Sequence, residues 1–165
     1  MHRLLPFSAF LVTVSVVSAG CRSSQVWFSA DSELTTVLTD HIATSSQTLD
    51  VAVYTFTSEP IRDAIINAAA RGVETRVVID GWEANDPIAN GLADAGVSMR
   101  RAFGYNGGIM HHKFAVVDGQ SVATGSFNYT YSADNENDEN LVIISDKALA
   151  GQYTNAFDEL WRRAE

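Results

Sequence analysis

Near the middle of the chain, His111, Lys113, Asp118, Gly125, Ser126 and Asn128 combine a base, a cation, a carboxylate and small polar groups at short spacings. In an extended segment, alternate side chains share a face. His111 and Lys113 therefore project together, while His112 and Phe114 turn the other way, into packing. By the same rule Ser126 and Asn128 share one face of the next segment. A ring nitrogen that titrates near neutral pH, an ammonium and two small donors on neighbouring segments suit an anionic tetrahedral centre. Lys113, Ser126 and Asn128 would meet the oxygens that carry charge, and His111 would act as nucleophile or base. Asp118 has the opposite parity and belongs to the turn dipeptide Asp118-Gly119. Stabilising that turn competes with touching substrate as its role.

The elements that must position these residues alternate in type. Residues 25–29, 48–56, 74–80, 97–102, 111–117, 121–125 and 140–145 read as strands, the third rich in β-branched residues. Residues 32–45 carry Leu34, Val37, Leu38 and Ile42 at helical spacing behind Asp31, a candidate cap. A second helix starts at Ser58-Glu59-Pro60, with the proline in its first turn, and ends before Gly72. A third covers 86–95 and is closed by Gly96; a fourth covers 147–163. Strands interleaved with helices predict an α/β fold with a mixed β-sheet flanked by helices on both faces. The Asp118-Gly119 hairpin supplies antiparallel pairing. In such sheets ligands gather at strand ends.

The string H-x-K-x4-D-x6-G-S-x-N formed by these residues resembles the signature of the phospholipase D superfamily. The likeness extends to Val53-Tyr54-Thr55-Phe56-Thr57, to Arg71-Gly72-Val73 with the strand ending at Asp80, and to Glu139-Asn140 before the last strand. These resemble the small bacterial endonucleases of the superfamily, which carry a single motif. The resemblance implies a phosphodiesterase that needs no metal or other cofactor. His111 would attack phosphorus and form a covalent phosphohistidine, and a second histidine would protonate the leaving group. Lys113, Ser126 and Asn128 would bind the phosphate, and Glu139 would orient the histidine ring. Asp118 completes the motif. Larger members hold two motifs in one chain, whereas no second H-x-K occurs here. The expectation is a homodimer in which a two-fold axis brings two His111 side chains to one shared site. A non-specific endonuclease is the first reading. A hydrolase of phospholipid headgroups and a non-catalytic binding domain that retains the motif are the alternatives.

Composition limits the partners. The 165 residues carry Lys+Arg 11 against Asp+Glu 20, a formal net charge of −9. A chain that tracks nucleic acid normally shows a basic face. Here the overall field repels polyanions, so a nucleic acid or anionic membrane needs a local basic patch. Arg71, Arg76, Arg100, Arg101 and Lys113 are scattered in sequence and converge only if the fold brings them together. Trp82 and Tyr105 fall in loops at strand ends, where a ring can stack on a base or touch a lipid. Asp134, Glu136, Asp138 and Glu139 form an acidic run without the glycine spacing of a calcium loop, so the first three read as solvated surface.

The N-terminus reads as a targeting segment. Met1-His2-Arg3 precedes an apolar stretch over residues 4–17, shorter than the roughly 20 residues a membrane span requires. Residues 1–20 are expected to be a signal peptide. Cleavage after Ala19 suits an ordinary signal peptidase. Ser18-Ala19-Gly20-Cys21 alternatively resembles a bacterial lipobox, with Cys21 lipidated at the mature terminus. Cys21 is the only cysteine, and an unpaired thiol in an exported protein calls for such an explanation. Residues 21–165 then form a single catalytic domain, exported by a bacterium to the periplasm or anchored to a membrane as a lipoprotein.

Overall fold

The computed structural model describes residues 23–82 and 87–165. The expected signal peptide and Cys21 lie outside the described residues. Seven strands form one sheet: β1 (Ser23–Phe28), β2 (Thr48–Val53), β3 (Glu74–Asp80), β4 (Ser98–Ala102), β5 (Lys113–Val117), β6 (Ser121–Gly125) and β7 (Asn140–Ser145). Helices α1 (Leu34–Ala43), α2 (Glu59–Ala70), α3 (Pro87–Asp94), α4 (Tyr131–Asn135) and α5 (Lys147–Arg163) connect and follow them. The sheet order is β1-β7-β6-β5-β2-β3-β4. Strands β2, β3 and β4 are parallel, and every pairing on the other side of β2 is antiparallel. The expected mixed sheet is therefore present, with parallel and antiparallel halves meeting at β2.

Strand alternation divides the core between two faces. Leu49, Val51 and Val53 of β2, Val77 and Ile79 of β3, and Ala115 and Val117 of β5 pack with Leu34, Leu38 and Ile42 of α1 and Ile61 and Ile65 of α2. The intervening residues Ala52, Val78, Phe114 and Val116 pack with Ala150, Phe157 and Leu160 of α5 on the opposite face. Each face buries its own apolar set, so a register slip of one residue would exchange the two.

One charged group sits inside this second layer. Asp50, on β2, is 4% exposed. Arg76 of β3 donates to both its oxygens, at 2.7 and 2.9 Å. The same guanidinium reaches Asp158 of α5 at 2.9 Å and lies over the Phe157 and Trp161 rings. The bidentate pair ties β2 to β3, and the contacts with Asp158, Phe157 and Trp161 hold α5 against them.

Two local expectations are corrected. Asp31 does not cap α1: Glu33 occupies the cap position and makes no side-chain cap bond. The Asp134 carboxylate, from α4, accepts from Thr35 N at 2.9 Å instead. A tertiary contact thus meets a demand that local sequence seemed to meet. The strand expected from residue 111 starts at Lys113, although Tyr54 N still donates to the His112 carbonyl at 2.9 Å and holds that residue beside the end of β2.

Removing Asp50 leaves Arg76 without its main buried partner. Asp50→Ala is expected to cost about 3 kcal/mol, read as a lower urea midpoint with unchanged slope.

Candidate active site

Five of the six motif residues, His111, Lys113, Gly125, Ser126 and Asn128, gather at one end of the sheet. The ends of β2 and β3, the start of β5, the end of β6 and the start of β7 all meet there, as the pairings Val53↔Lys113 and Gly125↔Leu141 require. Gly125 turns the chain out of β6 at φ +155. A Cβ there would strike the Asn140 carbonyl oxygen, so only glycine allows this approach. Ser126 and Asn128 follow at once. The segment returns against the continuation of β2: Tyr129 N donates to Thr55 O at 3.1 Å, and Thr57 N donates to Tyr129 O at 2.8 Å.

His111 is exposed and Lys113 is 9% exposed. The Lys113 ammonium donates to the His111 carbonyl oxygen at 3.1 Å and lies 3.1 and 3.2 Å from the two ring nitrogens. A neutral imidazole has one bare nitrogen, so only one of those two contacts is a hydrogen bond. Tyr54 completes the cluster. Its ring centroid is 4.7 Å from that of His111, and the ammonium lies 5.4 Å from it. Burial pushes the Lys113 amine below its usual range, and the nearby charge of Glu139 partly offsets this. The His112 ring lies 5.5 Å from Phe114, but the residue is exposed rather than turned into packing as strand parity predicts.

Ser126 and Glu139 are locked together. The Ser126 hydroxyl donates to Glu139 Oε2 and accepts from Asn140 N at 3.1 Å and Asn140 Nδ2 at 3.3 Å. A hydroxyl has one proton. In this structure that proton serves Glu139. Glu139 also accepts from Asn137 Nδ2 at 3.4 Å. Among the described residues no hydrogen bond joins it to the His111 ring. Its charge nonetheless acts on Lys113. Asn128 Oδ1 is buried without a partner among the described residues. An orphaned acceptor costs about 1–3 kcal/mol, which marks Asn128 as serving something other than stability.

Asp118 is not brought to the site. It stands at the far end of β5, where its carboxylate accepts from Ser46 N, Ser46 Oγ, Gln47 N and Thr48 N at 2.7–3.1 Å. Asp118 and Gly119 both take positive φ, 54 and 60, as a tight hairpin demands. Burial alone would raise this carboxyl, but the hydrogen bonds from Thr48, Gln47 and Ser46 bring it below the usual range. Asp118 anchors the hairpin that carries the site.

Three contributors escaped the sequence reading as site residues. Tyr54 and Asn140 stood only in the quoted family-like stretches, with no role assigned. Asp80 is fully buried and accepts from Trp82 N at 3.0 Å and Met110 N at 2.6 Å. It pins the backbone directly before His111. A carboxylate ending an otherwise apolar strand was the available signal. Among the described residues no group of three or more His, Cys, Asp and Glu side chains is placed to hold a metal ion.

Comparison with known proteins identifies the family. Residues 38–161 match the model described as cardiolipin synthase, PLD-like domain. The chain belongs to the phospholipase D-like family. A solved phospholipase D family member, Nuc from Salmonella typhimurium, superposes with TM-score 0.82 and 28% identity over 87% of this chain and 97% of that one. A mitochondrial cardiolipin hydrolase of Chlamydomonas reinhardtii is 31% identical over 144 residues, 86% of this chain and 64% of the relative. A phospholipase D of Rickettsia bellii is 30% identical over 126 residues, covering 76% and 63%. The chain thus spans about three fifths of the length of these curated relatives.

The Asp118 carboxylate titrates near 3.9 when unfolded and lower when folded. Its contribution is therefore present above that unfolded value and is lost as pH falls through the folded one. Asp118→Asn is expected to lower stability by about 1 kcal/mol at pH 7, discounted for partial exposure. The difference from wild type should shrink toward pH 3 in urea titrations, without a shift in the pH profile of turnover.

Proposed function

We propose that this protein is a phosphodiesterase whose active site is completed by a second copy of the chain. The observation that carries this reading is the isolation of His111. The chemistry needs two imidazoles. Of the four histidines, His2 lies outside the described residues, His112 faces the α5 side against Phe114, and His41 contacts Ser121 at 3.3 Å near the far end of the sheet. Among the described residues no second imidazole stacks on or hydrogen-bonds to the His111 ring. The site edge is open, and a two-fold axis there would present the same edge of a partner.

In the first step a bare ring nitrogen of His111 attacks phosphorus. The bond from phosphorus to the leaving oxygen breaks, and the imidazolium of His111 of the partner subunit gives that oxygen its proton. In the second step the partner's His111, now neutral, takes a proton from water. The resulting hydroxide attacks phosphorus, and the P–N bond breaks to release a phosphomonoester and free His111. Lys113 of each copy stabilises the oxygens where charge gathers. Its burial strengthens that interaction relative to water. Glu139, held by Ser126, sets the field at Lys113, and Asn128 offers its Nδ2 donor to the bound phosphate and its unpartnered Oδ1 to a ring N–H. No metal enters these steps.

The preferred substrate is nucleic acid, cut without sequence preference. His111 is exposed at the strand ends, where an extended strand can reach it. Phospholipid headgroups are the second reading, favoured by the names of the cardiolipin hydrolase and phospholipase D relatives. We further propose export, with residues 1–20 removed and Cys21 as a candidate lipid attachment point.

His111→Ala is expected to lower kcat by 10⁴-fold or more on bis(p-nitrophenyl) phosphate, with the circular dichroism spectrum of wild type. Turnover should persist in EDTA. Substantial residual activity in the variant would refute the nucleophile assignment.

A further inference from the structure

The acidic chain gathers part of its positive charge at one place. The end of α5 lies against β4 and the loop after it. Arg100 donates to the Trp161 carbonyl at 2.8 Å and stacks on that ring, and Arg101 and Glu165 exchange backbone hydrogen bonds at 2.7 and 2.9 Å. Arg162 and Arg163 occupy the last turn of α5 and are exposed. Arg163 is fixed beside the loop that follows β4, at the same end of the sheet as His111. It donates to the Phe103 carbonyl oxygen, and its guanidinium lies 4.8 Å from the Tyr105 ring centroid. Among the described residues no carboxylate forms an ion pair with it.

The loop that holds Arg163 leads directly to the nucleophile. Phe103 and Ile109 form an isolated antiparallel bridge, and Gly104 N donates to Gly108 O at 2.7 Å. Met110 and His111 follow, with Met110 pinned by Asp80. Burial lowers the His112 imidazole below its usual range, and the charges of Arg163, Lys113 and His111 lower it further. Arg163 therefore acts on the ring next to the catalytic one. The same loop exposes aromatic surface: Tyr105 is 73% exposed and Trp82 is 64% exposed, with Trp82 packed 5.2 Å from Phe103.

We propose that Arg163 binds the phosphate flanking the scissile one on a single-stranded nucleic acid, with Tyr105 and Trp82 as stacking faces for its bases. This rests on the phosphodiesterase reading of His111 and extends it to a named subsite. The chemistry matches a strand in two respects. A guanidinium pre-stacked on a ring and tied to a carbonyl offers phosphate a fixed planar donor set. Exposed rings beside it accept any base, because every base has a π-face. A bilayer fits less well. It would meet a whole face of a protein carrying −9, including Glu159, which accepts from Tyr105 Oη at 3.5 Å. A single strand samples only the field local to the strip.

The test compares two substrates of different reach, using mature protein, residues 21–165. Bis(p-nitrophenyl) phosphate has one phosphate and reports on the chemical centre alone; a 12-nucleotide single-stranded DNA spans the strip. Arg163→Gln is expected to lower kcat/KM on the DNA about tenfold more than on the small ester. It should also flatten the dependence of log KM on log salt by about 0.7, the value for one phosphate contact on a single strand. Tyr105→Ala should discriminate in the same sense, and Tyr105→Phe should restore DNA cleavage. Equal losses on both substrates, or a change to a different oligomer by light scattering, would overturn the subsite and place these residues in support of the fold or the dimer. An unchanged salt slope would also overturn it. Wild-type protein that turns over the small ester and phosphatidylglycerol vesicles but not the DNA would refute the nucleic-acid reading itself.

Discussion

The register between β5 and β6 is the constraint on which the rest of the molecule depends. Phe114 pairs with Thr124 and Val117 with Ser121. That pairing sets His111 and Lys113 on the face shared with α1 and α2, beside the segment that carries Ser126 and Asn128. A slip of one residue would turn both to the α5 side and drive Phe114 and Val116 out of the core they share with Phe157. The register is fixed from outside the site, by a hairpin whose two central residues have positive φ and by a carboxylate that gathers four donors from residues 46–48. Asp118 belongs to the catalytic motif by sequence and to the scaffold by position. Its distance from His111 is a consequence of that division of labour.

The site's own contacts show the same economy. Ser126 has one proton and gives it to Glu139. Glu139 in turn faces Lys113 with its charge, and Lys113 crowds His111 and Tyr54. His111 thus sits against Lys113 and Tyr54, with Glu139 acting on Lys113 through its charge. Asn128 is the exception, with a buried oxygen that nothing in the described residues satisfies. Such a group persists in a folded protein when it serves a bound ligand or the reacting ring.

Much of this was legible in the residues. The bounds expected for β3, β6, β7 and α5 coincide with those observed, because apolar runs there end at strong turn or cap residues such as Asp146, whose side chain accepts from Ala148 N and Leu149 N. Strand parity alone separated His111 from His112. What escaped was tertiary in origin. The cap of α1 comes from Asp134, 99 positions away. Asp80 meets Met110 across a separation of 30 positions. The basic strip joins residues 100–105 to 161–163, which no window of sequence brings together. The acidic total hid that strip, since net charge says nothing about where the few cations lie. Arg71 and Arg76, grouped with the others by sequence, are engaged elsewhere: Arg71 donates to the Ala43 and Ser45 carbonyls, and Arg76 holds Asp50.

The central claim is that one phosphate is gripped by two copies of His111. Mixing wild-type chains with His111→Ala chains, after unfolding and refolding them together, tests it most directly. A dimer with one histidine lacks either nucleophile or acid, so activity on bis(p-nitrophenyl) phosphate should follow the square of the wild-type fraction. Activity that falls in simple proportion to that fraction would mean that each chain works alone, and the shared site would have to be abandoned.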